Sequence, residues 1–269
     1  MKKSLSLLMG IILLNLQFCF AQADYKPVIV HMAKAHLKMD SGLNFDDLMA
    51  LEKEYHAKVV MKNKYIIGAN ALSHLYTPDV SEIIFVQVYE SLANMEKADE
   101  ESFVLEKAAW PDSVKRTEFF MKRRKFYTNV HSDEMYSSVR FTKQLANPAD
   151  SNLIVLFMKK HLAFPEGGTN KEFRALSQEY FDHVIQKNNS LLGYFPMRHY
   201  MGTDGRDFLE VLVFKNMTDM DNVRPSNGKL VREHWPDQAK RREFFQKYNS
   251  YFEAWHGDYI YTNIHELHK

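Results

Sequence analysis

The strongest constraint on this chain is that it repeats itself. Slid along itself by 125 positions, residues 28–139 lie over residues 153–264 without a gap, and 32 of the 112 aligned positions are identical. Ordinary composition would give about 6–7 coincidences by chance. The densest block is Trp110-Pro111-Asp112, Lys115-Arg116, Glu118-Phe119-Phe120, Lys122. It returns as Trp235-Pro236-Asp237, Lys240-Arg241, Glu243-Phe244-Phe245, Lys247. Downstream, His131-x-Asp133-x-x-Tyr136 matches His256-x-Asp258-x-x-Tyr261, and upstream Lys34-x-His36-Leu37 matches Lys159-x-His161-Leu162. One domain of ordinary size has therefore been duplicated in tandem. The expected division is 24–140 for the first repeat, 141–152 for a linker carrying Asn147-Pro148-Ala149-Asp150, and 153–269 for the second repeat.

Residues 1–23 read as an address. Lys2 and Lys3 precede an apolar run that ends in Ala21-Gln22-Ala23, the pattern of a secretory signal peptide cleaved after Ala23, with Ala21 as the second choice. The expected location is secreted or periplasmic, with no stable membrane anchor. The whole chain has 35 basic and 34 acidic side chains, which leaves no bulk electrostatic drive toward nucleic acid. Its single cysteine excludes a disulfide framework and a cysteine-based zinc site.

Within each repeat the period of the apolar residues predicts the elements. Residues 28–37 and 153–162 are near-continuously apolar, as a strand covered on both faces would be. Leu48, Leu51, Tyr55 and Val59 form a helical stripe, matched by Phe173, Leu176, Tyr180 and Val184. Gly68 and Gly193 open a second strand, and residues 83–89 and 208–214 make a third. Thr203-Asp204-Gly205, where glycine would take a positive φ, and Pro78-Asp79 provide the turns between them. A less regular stretch leads to Trp-Pro-Asp, where the aspartate caps a new helix, and a last strand follows. The basic run Lys122-Arg123-Arg124-Lys125 on that helix reads as a solvated face.

The order is β-α-β-β-α-β twice, an α+β chain of two ferredoxin-like units. Each unit covers one face of its antiparallel sheet with helices and leaves the other bare, so two units in one chain can pack their sheets face to face as an intramolecular barrel. In element order and internal pairing, residues 28–264 resemble the dimeric α/β-barrel superfamily. That superfamily includes antibiotic-biosynthesis monooxygenases, EthD-like proteins and chlorite-dismutase-like haem proteins. No catalytic motif matches residue by residue. The resemblance implies a cavity between the sheets for a small organic ligand, and in some members haem. Because the pairing is internal, the expected assembly is a monomer containing a pseudo-dimer.

Period-two alternation then assigns the inner face. On the first strands it carries Met32, Lys34, His36 and Phe157, Lys159, His161; on the second, Asn70, Leu72, His74 and Phe195, Met197, His199. On the third strands the mixed aromatic and polar set is assigned inward: Phe85, Gln87 and Tyr89, with Phe208, Glu210, Leu212 and Phe214. The aliphatic Ile84, Val86, Val88, Leu209, Val211 and Val213 are assigned to the helices. Polar groups among aromatics are the usual make-up of a ligand pocket.

Glu210 stands out because the first repeat has Phe85 there. A carboxylate on a buried face is either tuned as a base or ion-paired, with Lys34, Lys159 or Arg198 as the available partners. His161 and His36 are the other candidate catalytic groups. The remaining candidate ligand contacts are Lys34, His74, Phe85, Gln87, Tyr89, Lys159, His199, Leu212 and Phe214. Histidines kept in both repeats can equally be fold determinants, and His131-x-Asp133 and His256-x-Asp258 can equally be turn residues rather than metal half-sites. No cofactor or metal is expected. Two function classes stay open: a cofactor-independent enzyme on a small organic substrate, or a binding protein whose polar groups only orient the ligand. An interaction protein with a packed barrel and a haem-binding barrel are the alternatives.

Overall fold

Residues 25–39, 42–146 and 150–269 are described by the computed structural model, so the expected signal peptide lies outside the described residues. The first repeat runs β1 (Ile29–Leu37), α1 (Phe45–Tyr55), β2 (Gly68–Tyr76), β3 (Glu82–Tyr89), α2 (Leu92–Ala109), α3 (Ser113–Arg124) and β4 (Tyr127–Ser138). The second runs β5 (Ile154–Leu162), α4 (Asn170–Tyr180), β6 (Gly193–Met201), β7 (Asp207–Phe214), α5 (Met217–His234), α6 (Gln238–Asn249) and β8 (Phe252–Asn263).

All strand pairs are antiparallel, and they close into one barrel in the order β1-β3-β2-β8-β5-β7-β6-β4. Each repeat contributes a four-stranded sheet, and the sheets are sewn edge to edge by β2 with β8 and β4 with β6. Closure removes the exposed sheet edges that a lone unit would carry. The helices cover the outside.

The Trp-Pro-Asp blocks start α3 and α6. Asp112 accepts from the backbone N–H groups of Val114 and Lys115, and Asp237 from those of Ala239 and Lys240. Trp110 then stacks on Phe119 at 4.1 Å and Trp235 packs on Phe244 at 4.2 Å between ring centroids. Arg116 and Arg241 donate back to the carbonyls of Trp110 and Trp235 at 2.8 and 2.6 Å. The stretch expected to be irregular is instead α2 and α5. Their apolar stripes are weak, with Ala98 the one buried residue of α2 and none in α5, which also contains Pro225. A buried asparagine ties each of them down. Asn63 donates to the Ala98 carbonyl and the Ser102 hydroxyl, and Asn188 to the Val223 carbonyl and the Asn227 amide oxygen.

The basic run on α3 is not wholly a solvated face. Arg123 forks onto the buried carboxylate of Glu52 at 2.6 and 2.9 Å, and Tyr127 donates to the same carboxylate at 2.8 Å. The linker also does more than connect. Lys143 pairs its backbone with Tyr194, and Phe141 is buried against Phe181.

Candidate functional site

Register decides which side chains face inward. Met32 lies opposite Val86 and Glu134, and Phe157 opposite Val211 and Tyr259. Val30, Met32, Leu72, Ile84, Tyr136 and Phe157 belong to one continuous core inside the barrel, together with Leu209, Val211, Val213 and Tyr261. The expected inner faces of β1, β2, β5 and β6 match this register. Those of β3 and β7 are reversed.

Phe85, Gln87 and Tyr89, with Phe208, Glu210, Leu212 and Phe214, point outward to the helix layer. Phe85 packs with Leu48 and Ile83, Tyr89 with Val60 and Ala98, and Leu212 and Phe214 with Phe181. Gln87 accepts from the Tyr89 hydroxyl. Glu210, candidate base of the enzyme reading, lies under the helices. It accepts from the Tyr194 hydroxyl at 2.5 Å and is ion-paired with Lys160, a partner on the outer face of β5. Burial, then the Glu210 charge, pushes the Tyr194 phenol well above its ordinary range, so it stays a donor. The physical reason for the reversal is volume. The interior has room for Tyr136, Phe157 and Tyr261 only because the small aliphatic faces of β3 and β7 are turned toward them, and their larger side chains fill the space under the helices.

The inner face divides into two ends. At the end formed by the starts of β1 and β5 there is a cavity of about 690 Å³. Val30, Val86, Val88, Val155, Val211 and Val213 form its wall, and Met32, Leu72, Phe157 and Met197 its floor. Polar groups are few. Asn70 lies on the wall with its amide oxygen buried and without a donor. Ser138 and Asn263 are already engaged, by the backbone N–H groups of Val28 and Leu153. Tyr25, Lys26, Gln144, His268 and Lys269 border the mouth, where Lys269 pairs its backbone with Ala69 and its ammonium with the carbonyls of Val60 and Asn63.

Beyond the floor, the opposite end is polar. Lys34 donates to Glu134 at 3.2 Å, Lys159 meets Asp207 at 2.6 Å and Glu134 at 3.9 Å, and Tyr136 donates to Glu134 at 2.7 Å. Burial opposes ionisation of Glu134, but Lys34, the Tyr136 hydroxyl and Lys159 outweigh it and hold its carboxyl below the ordinary range. Tyr261 donates to Glu82 at 2.7 Å. The inner-face histidines gather here and not at the cavity. His36 Nδ1 lies 2.7 Å from Asp79, His74 Nδ1 2.7 Å from Thr77, and His161 Nδ1 3.1 Å from Glu253. His199 sits beside Gly202 in the β6–β7 turn. That glycine, not Gly205, has the positive φ, at 147°.

Of the expected ligand contacts, therefore, Lys34, His74, Lys159 and His199 face into the barrel but border the polar end, as do His36 and His161. The structure does not bring them to the cavity. Asn70, assigned to the inner face by alternation but not among the expected ligand contacts, is the polar residue on the wall, and its signal was a polar side chain where the second repeat has Phe195. The strand histidines do not fit a haem in the cavity, since none of them lines it. The exposed His131/Asp133 and His256/Asp258 pairs approach to 3.6 and 3.5 Å on the barrel exterior.

No protein-family model and no curated protein matches the sequence. Solved structures do match in shape. A candidate monooxygenase of Fusobacterium nucleatum superposes with TM-score 0.56 at 10% identity, covering 89% of this chain and 92% of that one. Another, from Lactobacillus acidophilus, gives 0.53 at 6% over 88% and 93%. A chlorite dismutase variant of Candidatus Nitrospira defluvii gives 0.51 at 12% over 88% and 93%. The fold is the dimeric α/β barrel. Likeness at this identity carries the barrel and nothing of the chemistry inside it. Within a dimeric α/β barrel built from one chain, the two halves are free to differ, and here they do at Asn70/Phe195 and Phe85/Glu210.

Proposed function

We propose that the protein is an exported binder of a small, largely apolar organic molecule, held in the barrel cavity without covalent change. The observation that carries this reading is the aliphatic chamber of about 690 Å³ with one buried, donor-less acceptor, Asn70 Oδ1, on its wall. Apolar walls supply the affinity, and a sparse polar group sets the orientation. A ligand with one N–H or O–H donor would satisfy Asn70, whose bare oxygen otherwise costs about 1–3 kcal/mol. Binding is favoured over turnover because the titratable lining residues, Tyr25, Lys26, His268 and Lys269, all belong to the mouth, while Glu210 faces the helices. Export rests on residues 1–23. A monomer rests on closure of the barrel within one chain.

The test is fluorescence titration of the mature chain with N-phenyl-1-naphthylamine, an apolar probe carrying one N–H donor. Saturable binding at one equivalent is expected, abolished by Val213→Trp, which fills the chamber. Asn70→Leu is expected to weaken it about 5–10-fold, the worth of one hydrogen bond. Equal binding by Val213→Trp would overturn the reading. The mass of the exported protein tests cleavage after Ala23, and light scattering tests the monomer.

A further inference from the structure

At the polar end of the barrel the second repeat gathers His161, Asp204 and Asp207, whose side-chain ligand atoms all lie within 4.8 Å of one another. His161 Nε2 is 3.5 Å from Asp204 Oδ2 and 3.6 Å from Asp207 Oδ1. Those distances are too long for hydrogen bonds. They are close to the spacing of neighbouring ligands on a four-coordinate zinc, where atoms about 2.1 Å from the metal lie about 3.4 Å apart.

His161 and Asp207 are each gripped from behind, which leaves one atom of each aimed inward, while Asp204 turns toward His161 an oxygen that Arg206 also holds. Glu253 takes His161 Nδ1 at 3.1 Å, and Trp255 stacks on the imidazole at 4.2 Å between centroids. Arg206 holds Asp204 at 3.0 and 2.7 Å and also spans to Glu253 at 2.9 Å. Lys159 holds Asp207 through Oδ2 at 2.6 Å. Asp207 Oδ1, on a side chain only 4% exposed, faces His161 with no hydrogen-bond donor. A histidine whose second nitrogen is fixed by a carboxylate is the usual arrangement behind a metal ligand. Three carboxylates against the charges of Lys159 and Arg206 leave one negative charge for a cation to neutralise.

The first repeat also has a histidine and two carboxylates at the matching positions, His36, Asp79 and Glu82, but has closed them. His36 bonds Asp79 directly at 2.7 Å, and Glu82 accepts from Tyr261. Thr128, Val130 and Ser81 stand where the second repeat has Glu253, Trp255 and Arg206.

We propose that His161, Asp204 and Asp207 form a divalent transition-metal site, zinc first, with His161 Nε2 and one oxygen from each aspartate as ligands and Glu253 as the positioning residue. The site is separate from the apolar chamber, so neither proposal depends on the other. The experiment is calorimetric titration of tag-free, chelator-treated mature chain with zinc chloride, repeated with cobalt(II) and read by its visible d–d bands. One equivalent and four-coordinate cobalt bands are expected. Glu253→Gln should weaken zinc about 10–100-fold, while His161→Ala and Asp207→Asn should cost more and His36→Ala should change nothing. Histidine ¹⁵N NMR of the wild-type chain covers the case in which a variant does not fold, with zinc moving His161 Nε2. Absence of stoichiometric uptake, undiminished uptake by folded His161→Ala, or zinc shifts confined to other histidines would overturn the site.

Discussion

The pairing of Glu210 with Lys160 can be weighed by a double-mutant cycle. Glu210 is 5% exposed on β7, under α4 and α6, with its charge met by Lys160 and one oxygen by the Tyr194 hydroxyl. Glu210→Leu strands that hydroxyl, at about 1–3 kcal/mol. Lys160 loses its partner too, but its side chain is 22% exposed and already lies over the Phe252 ring at 5.1 Å. Its ammonium can turn to water, so its share is nearer the ~1 kcal/mol of a surface pair, and the total is about 2–4 kcal/mol. Lys160→Met leaves a carboxylate under the helices with only a phenol to solvate it, at about 3–5 kcal/mol. The double variant strands no charge and keeps only the hydroxyl's cost of about 1–3 kcal/mol, which cancels in the cycle, so the coupling energy is about 4–6 kcal/mol. Urea denaturation at pH 7 measures each corner, with unchanged m-values confirming that the native state is the same. Additive single costs, or singles below about 1 kcal/mol, would show that the pair is solvated and the outward assignment of Glu210 wrong. Probe binding in the chamber should be untouched in every variant.

Three further outcomes follow from the same contacts. Asn63→Ala removes the amide that holds α2 at Ala98 and Ser102, and should cost about 2–3 kcal/mol of unfolding free energy. Arg123→Lys cannot fork onto Glu52 and should lose about 1–2 kcal/mol in the same assay. Glu134 is held below the ordinary carboxyl value of 4.5, so its contribution is complete above that pH and is lost as pH falls through the lower folded value. Replacing Lys34 by Met should therefore flatten the acid limb of a stability–pH curve and leave the neutral region's slope unchanged.

The architecture was legible because duplication gives every element a second witness. Trp110 and Trp235, Asp112 and Asp237, Phe119 and Phe244 take the same structural places, and identity between repeats had marked them. The face of β3 and β7 was misread because both faces are buried: every residue of β7 is buried, so polarity contrast vanishes. The pair identities did hold the answer. Val86/Val211 and Val88/Val213 are unchanged between repeats and line the chamber, whereas Phe85/Glu210, Gln87/Leu212 and Tyr89/Phe214 vary under helices that themselves differ. α2 and α5 were passed over since they are anchored by Asn63 and Asn188 rather than by an apolar stripe. The metal cluster was invisible for another reason. His161, Asp204 and Glu253 lie on different strands and turns, and the pairing of β5 with β7 and β8 brings them together.

Fusion of the repeats explains why the site residues are asymmetric. In a two-fold dimer every substitution is made twice, so a polar group introduced on one wall appears on both. A tandem chain can place Asn70 on β2 and keep Phe195 on β6, which gives the chamber one acceptor and one ring. This predicts the effect of restoring symmetry. Asn70→Phe installs at the first wall the side chain that the second already accommodates, so the backbone register should survive and the denaturation midpoint should not fall. The added ring must then occupy part of the chamber and remove its unpaired acceptor. Loss of one hydrogen bond alone accounts for about a 5–10-fold weakening, and the lost volume should take the effect beyond 10-fold for N-phenyl-1-naphthylamine. A stable Asn70→Phe chain that bound the probe as the wild type does would mean that the molecule rests elsewhere than between these two walls.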